Sequence, residues 1–340
     1  MNNLNRCILL LFGLSVLCSC AQKAVDYPKI NGVSFVASPK EVQQVNILPL
    51  QAIHANYAAI MPFGFIKTLD HPEIVFNTER QWFGETNDGA KQYITKLHEN
   101  NISVMLKPQI WIWRGEFTGN LKMKSEANWK LLEEAYRLFI LDFARLAEET
   151  HVAMFCIGTE LEQFIVHRPA YWTDLIAEIR SIYHGKLTYA ANWDEYKRVP
   201  FWDQLDYIGV DAYFPISENQ TPSLEEARIG WQPWLAELKE MAKAHNKKVV
   251  FAEYGYRSVD FAGKEPWKSD LDMSVVNQEA QSNLTRALFA EVWDQEWFAG
   301  GFIWKWFIDH KAVGGIEDSQ FTPQNKPAEA VVRETYATSN

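Results

Sequence analysis

From residue 30 onward the chain repeats one rhythm: a short apolar run, a polar loop, then a stretch with helical periodicity. The apolar runs are residues 32–37, 57–63, 102–106, 152–158, 187–191, 207–211, 249–252 and 300–304. Between them lie amphipathic stretches such as 128–149, 172–183, 235–245 and 277–294, long enough to cross over and bring each strand back parallel to the last. A closing helix is expected over 327–335, with Pro327 in its first turn, where a missing N–H is harmless. Eight βα units in 340 residues predict a single α/β domain, a (β/α)8 TIM barrel, rather than an open doubly wound sheet. No glycine-rich dinucleotide or phosphate loop follows the first run, and no linker divides the chain. The barrel domain is therefore placed at residues 31–338, with 21–30 as a tether.

The hydrophobic share of 47% against 22% charged residues is that of a globular protein with a large core. The net charge of −10, with no basic run or stripe, argues against nucleic acid as a partner. The chain carries 14 Trp beside 13 Tyr and 20 Phe, and flat apolar rings suit sugar faces as well as interiors.

The first twenty residues read as an address. Arg6 is their only charged side chain; it precedes an apolar run over 8–17 and then Leu17-Cys18-Ser19-Cys20. This predicts a lipoprotein signal peptide over 1–20, with Cys20 as the lipidated first residue of the mature chain and its anchor to a membrane. Ala21 after Cys20 resembles outer-membrane sorting, so the expected location is the cell envelope, lipid-anchored, in the outer membrane of a Gram-negative bacterium. Cys7 and Cys18 would leave with the leader, and Cys156, inside Met154-Phe155-Cys156-Ile157, reads as a small core residue with no disulfide partner. The eight histidines are scattered, with no HExxH and no close ligand pair, so neither a metal nor another cofactor is expected; a loop calcium stays open.

In a barrel of this kind chemistry sits at the C-terminal ends of the strands. The fourth run ends in Thr159-Glu160-Leu161-Glu162, and the seventh in Glu253-Tyr254-Gly255-Tyr256-Arg257-Ser258. A carboxylate directly after a buried strand is costly unless it is paired or used, and two facing one cavity can divide the roles of acid and nucleophile. Glycoside hydrolysis needs that division, and a carboxyl separation of about 5–5.5 Å leaves no room for water and gives retention. The alternative is that both glutamates are satisfied in salt bridges at the barrel top.

The segments Cys156-Ile157-Gly158-Thr159-Glu160-Leu161-Glu162 and Phe251-Ala252-Glu253-Tyr254-Gly255-Tyr256-Arg257-Ser258 resemble the acid/base and nucleophile motifs of glycoside hydrolase family 113, retaining β-mannanases of clan A. Similar matches occur at Gly32-Val33-Ser34-Phe35, Gln81-Trp82-Phe83-Gly84-Glu85-Thr86, Leu106-Lys107-Pro108-Gln109, Asp211-Ala212-Tyr213-Phe214-Pro215 and Asn325-Lys326-Pro327-Ala328. The resemblance implies a (β/α)8 fold, Glu160 as acid/base, Glu253 as nucleophile, and a β-linked, mannose-containing poly- or oligosaccharide as substrate. Thr159, where most clan A enzymes carry Asn, resembles family 113. Gln109 stands where the family pattern has His, which puts any sugar contact of that His in doubt. Two rival readings remain: a retaining hydrolase of another β-glycan, and a non-catalytic cell-surface glycan-binding lipoprotein.

Six further residues are candidates for substrate binding. Tyr213 ends the sixth run, where its hydroxyl could donate to Glu253 or simply be core. Trp304 ends the eighth and could floor the cleaved-sugar subsite or pack at the rim. Trp111 and Trp113 follow the third run, with alternation expected to send at least one of them into the core. Asn192 could bind a sugar hydroxyl or cap its loop, and Lys107 could contact sugar or bridge to a site carboxylate. Glu162 is expected to point away as the next helix begins, while Asp211 and Asp194 are possible partners to the catalytic pair.

Overall fold

The computed structural model describes residues 28–269 and 275–339. The leader at 1–20, its Cys20 and most of the 21–30 tether lie outside the described residues. In chain order the described strands are β1 Ile30–Phe35, β2 Tyr57–Ile60, β3 Phe63–Ile66, β4 Ser103–Leu106, β5 Gln109–Ile112, β6 Met154–Thr159, β7 Lys186–Asn192, β8 Ile208–Asp211, β9 Val249–Tyr254 and β10 Phe298–Trp306. The α-helices are α1 Gln44–Ala52, α2 Asn87–His98, α3 Glu126–Glu149, α4 Glu162–His167, α5 Pro169–Ile182, α6 Leu224–His245, α7 Gln278–Val292 and α8 Pro327–Thr338.

Eight strands close into a barrel in the order β1-β10-β9-β8-β7-β6-β4-β2, every neighbouring pair parallel. The eightfold rhythm is thus the (β/α)8 barrel it predicts. Alternation along each strand explains why the runs are apolar throughout. One set of side chains, including Ala59, Met105, Met154, Cys156, Ala190, Val250 and Phe302, forms a compact cluster of its own. The intervening set, including Ala58, Val104, Phe155, Leu187 and Val249, belongs to the larger core shared with the helices. Cys156 is fully buried and burial pushes its thiol up to about 11, as suits an inert core residue. At the β1–β10 seam Gly300 has a positive φ of 118°, and a Cβ there would lie 2.3 Å from the Ile30 carbonyl oxygen, so only glycine lets the two strands pair.

Two details differ from the sequence reading, both at prolines. The run expected over 57–63 stops at Ile60, and Pro62 separates it from β3; Pro108 likewise separates β4 from β5. The two breaks share one register. Ile60 pairs with Leu106 and Phe63 with Gln109, and across the gap Lys107 N–H donates to the Ile60 carbonyl (2.8 Å) and Gln109 N–H to the Pro62 carbonyl (2.9 Å). Two prolines without N–H groups, side by side, end the barrel ladder and release a two-stranded extension beyond the strand ends. The helix expected from residue 235 begins instead at Leu224. Ser223 and Glu226 form a reciprocal capping box there, and the helix runs on through Pro233. Among the described residues no helix is long and apolar enough to cross a membrane.

Candidate active site

Glu253 is the penultimate residue of β9 and only 7% exposed. Three donors converge on it. Lys107, at the Pro108 break, donates through Nζ to Oε1, and Gln109, the first residue of β5, donates through Nε2 to the same oxygen at 3.1 Å. The Tyr213 hydroxyl, just past β8, donates to Oε2 at 2.7 Å. A side chain that receives an ammonium, an amide and a hydroxyl is held as an acceptor only, which describes a carboxylate. The proline-ended ladder thus has a chemical use: it carries Lys107 and Gln109 from the end of one strand into the mouth of the barrel.

Glu160 follows β6 directly and is half-buried. Its backbone is left-handed, with φ 49°, an uncommon conformation for a residue with a side chain. Burial pushes its carboxyl well above the usual carboxylate range, and the negative charges of Asp211, Glu253 and Glu195 push the same way, against Lys107. The two glutamates are therefore divided electrostatically: one is an acceptor to three donors, while the other is pressed to keep its proton.

Lys107 and Asp211 complete the floor, both entirely buried and 3.7 Å apart. Burial alone would lower the lysine, but Asp211 and Glu253 outweigh it and its ammonium is pushed up. The Asp211 carboxyl is also pushed up, by burial first and by Glu253 and Glu195 after. Both directions follow from one count: a single ammonium faces two buried carboxylates, stays charged, and bonds the nearer. Asp211 has no hydrogen-bond donor on either oxygen and bears the excess.

The remaining candidates are placed in different ways. Lys107 and Tyr213 meet on Glu253, with no exposed ammonium left for sugar. Trp304 is half-buried at the mouth; its carbonyl oxygen would lie 2.6 Å from a Cβ on Gly255, so its backbone crosses close beside the strand that carries Glu253. The Trp304–Lys305 peptide is cis, and the Lys305 ammonium lies 5.5 Å from the Trp304 ring centre. Asn192 is half-buried, and its side-chain oxygen accepts from Trp193 N–H at 2.8 Å, the loop-capping alternative. Trp111 and Trp113 are 48% and 67% exposed, so neither is core. Residues two apart share a face of a strand, and here the buried face belongs to Ile110 and Ile112. Trp111 stands edge-on to Phe63 of the neighbouring β3, with ring centroids 6.5 Å apart. Glu162 pairs with Arg198 at 2.6 Å, and Asp194 is exposed.

Sequence reasoning passed over Glu195 and Tyr189. Glu195 is fully buried in the turn after β7 and accepts from the Tyr189 hydroxyl at 2.6 Å. Tyr189 lies inside an apolar run, where only a pairing with a distant polar group could have distinguished it from core. Among the described residues no group of three or more His, Cys, Asp or Glu is placed to hold a metal ion.

Residues 37–326 match the family model described as Glycoside Hydrolase Family 113. Among solved structures, the chain resembles the family 113 β-mannanase AaManA from Alicyclobacillus acidocaldarius, in complex with ManMIm. That match has 25% identity and a TM-score of 0.80, covering 93% of this chain and 99% of that one. A complex of a family 113 β-1,4-mannanase matches at 22% identity and TM-score 0.80, covering 92% and 100%. A Faecalibacterium prausnitzii β-glucuronidase shares the fold at 16% identity and TM-score 0.59, covering 91% of this chain and 49% of that one. No curated protein matches the chain. A match to the family model over most of the barrel, and over both glutamate-bearing strand ends, makes this chain a member of glycoside hydrolase family 113.

Proposed function

We propose that this chain is a retaining β-mannanase that cleaves β-linked, mannose-containing poly- or oligosaccharides by double displacement, with Glu253 as nucleophile and Glu160 as acid/base. The observation that carries this reading is the contrast between the two carboxyls: three donors on Glu253, and burial with surrounding negative charge on Glu160. In the first step a Glu253 carboxylate oxygen bonds to the anomeric carbon while the bond to the leaving oxygen breaks, and the Glu160 proton passes to that oxygen. Formation of the ester removes the charge of Glu253, one of the causes that hold the proton on Glu160, so Glu160 stays ionised once it has given up that proton and is available as the base of the next step. In the second step Glu160 takes a proton from water, the water oxygen bonds to the anomeric carbon, and Glu253 leaves with its pair of electrons. Two inversions give net retention.

The test is product release by residues 21–340 on manno-, gluco- and xylo-oligosaccharides, with Glu160→Gln and Glu253→Gln alongside and the first-formed anomer read by NMR. Cleavage of mannosides to the β-anomer, abolished by both substitutions, is expected. Cleavage confined to glucosides or xylosides would reassign the substrate, α-anomer would overturn retention, and binding without turnover would leave a glycan-binding protein.

The leader sequence supports a lipid anchor at Cys20 and a place in the cell envelope, in the outer membrane. Metabolic labelling with a fatty-acid analogue should mark the full chain and not Cys20→Ser; equal labelling of both would remove the anchor.

A further inference from the structure

We infer that Glu195 is a positioning residue for Glu160, acting through Tyr189 to hold the left-handed backbone that aims the Glu160 carboxyl. The inference rests on the reading of Glu160 as acid/base. The peptides on both sides of Glu160 are tied to one strand, β7. Glu160 N–H donates to the Ala190 carbonyl at 2.8 Å, and the next N–H, that of Leu161, donates to the Tyr189 hydroxyl oxygen at 2.6 Å. A φ of 49° on glutamate persists only where its neighbours over-determine it, and these two bonds do so.

The second bond works only if the hydroxyl offers a lone pair to Leu161 rather than its hydrogen. Glu195 decides that. Its Oε1 takes the Tyr189 hydrogen at 2.6 Å, leaving the oxygen lone pair for the Leu161 N–H, so the chain of donors runs one way from Leu161 to Tyr189 to Glu195. The Asn192 N–H holds the other carboxylate oxygen of Glu195 at 3.0 Å. The Tyr189 ring is itself fixed, edge-on to Trp172 and Phe201 with centroids 5.9 and 5.6 Å away, and the side chain is fully buried. Both side chains are fully buried, so a carboxyl and a hydroxyl have been placed in the core behind the acid/base turn, where an apolar pair would pack without the cost of desolvation.

The groups facing each carboxyl are also defined. Burial pushes the Glu195 carboxyl up to about 7, against the hydrogen bonds from the Tyr189 hydroxyl and the Asn192 N–H, with Glu162 and Arg198 as its charged neighbours; around Glu160 the charged groups are Asp211, Glu253, Glu195 and Lys107. Glu195 is thus one of the negative charges that press a proton onto Glu160, in addition to its geometric part.

The test separates a misplaced acid from a weakened fold by the leaving group. Cleavage of mannotetraose needs protonation of a poor leaving oxygen, whereas a 2,4-dinitrophenyl β-mannobioside leaves without help, and kcat/KM reports only the step in which Glu160 acts as acid. Tyr189→Phe and Glu195→Gln should lower kcat/KM on mannotetraose at least about tenfold and on the dinitrophenyl glycoside less than about threefold. Glu195→Gln should also move the basic limb of the mannotetraose profile to lower pH. Glu160→Gln is the control: if it shows no dependence on leaving group, the acid/base reading fails and this inference with it. If Glu160→Gln shows that dependence and the two variants lose both substrates alike, or neither, the positioning role is overturned. Turnover of the dinitrophenyl glycoside is itself the proof that each variant is folded.

Discussion

Replacing Lys107 with Met should destabilise the protein by about 3–5 kcal/mol at pH 7, with a deficit that shrinks as the pH falls. The lysine is fully buried, donates to Glu253 and lies 3.7 Å from Asp211. At an effective dielectric of about 20, a charge pair at that distance is worth roughly 4.5 kcal/mol, and the shorter contact to Glu253 is worth more. Against this, methionine avoids the desolvation of the ammonium and packs its length, which brings the net into the range measured when one partner of a buried pair is removed. The sign with pH follows from linkage. Asp211 is already pushed above its ordinary range by burial, and without the ammonium that cause acts unopposed. The folded variant then binds more protons than the unfolded chain between about pH 4 and the raised value, so its stability falls as pH rises through that window and recovers toward pH 4. Urea unfolding of both proteins at pH 5 and pH 7 measures it. A difference below about 1 kcal/mol at pH 7, or one of equal size at both values, would refute the claim that a single cation offsets two buried carboxylates here.

Tyr213→Phe removes a 2.7 Å hydrogen bond to Glu253 and little else, so kcat/KM should fall by roughly 10- to 100-fold with the fold retained, from about 1.5–3 kcal/mol for a bond to a charged group; a loss under twofold would remove Tyr213 from the machinery. The basic limb of kcat/KM on unactivated substrate should lie well above the ordinary carboxylate range, because burial and three negative neighbours raise Glu160. A limb at pH 4–5, or one that survives in Glu160→Gln, contradicts that assignment. Gly300→Ala should cost about 2–4 kcal/mol, visible as a clear drop in Tm, since its Cβ would meet the Ile30 carbonyl at 2.3 Å from a backbone with φ 118°; an unchanged Tm would show that the seam relaxes freely.

The barrel was legible because its signals are local. Apolar runs such as 152–158 and 249–252 are strands in any context that buries both faces, and the helical stretches between them leave parallel return as the simple connection. Glu160 and Glu253 stood out for the same reason, each a charge at the end of an apolar run. What local reasoning misjudged were places where a partner far along the chain decides the outcome. Pro62 and Pro108 look like separate interruptions until the two strands are paired, when they become one feature that ends the ladder and turns Lys107 and Gln109 inward. Trp111 and Trp113 were read by alternation as though residues two apart face opposite ways, and the structure leaves both exposed.

By itself, then, the sequence determined the architecture, the family and the pair of carboxyls at the strand ends, because periodicity and a charge beside an apolar run are properties of neighbouring residues. Tertiary structure alone decided how those carboxyls differ. Glu253 receives its donors from residues 107, 109 and 213, and Glu160 is held by a tyrosine and a glutamate that follow it by 29 and 35 positions. Protonation depends on burial and on which charges lie within a few ångströms, and those distances exist only once the strands have closed on one another.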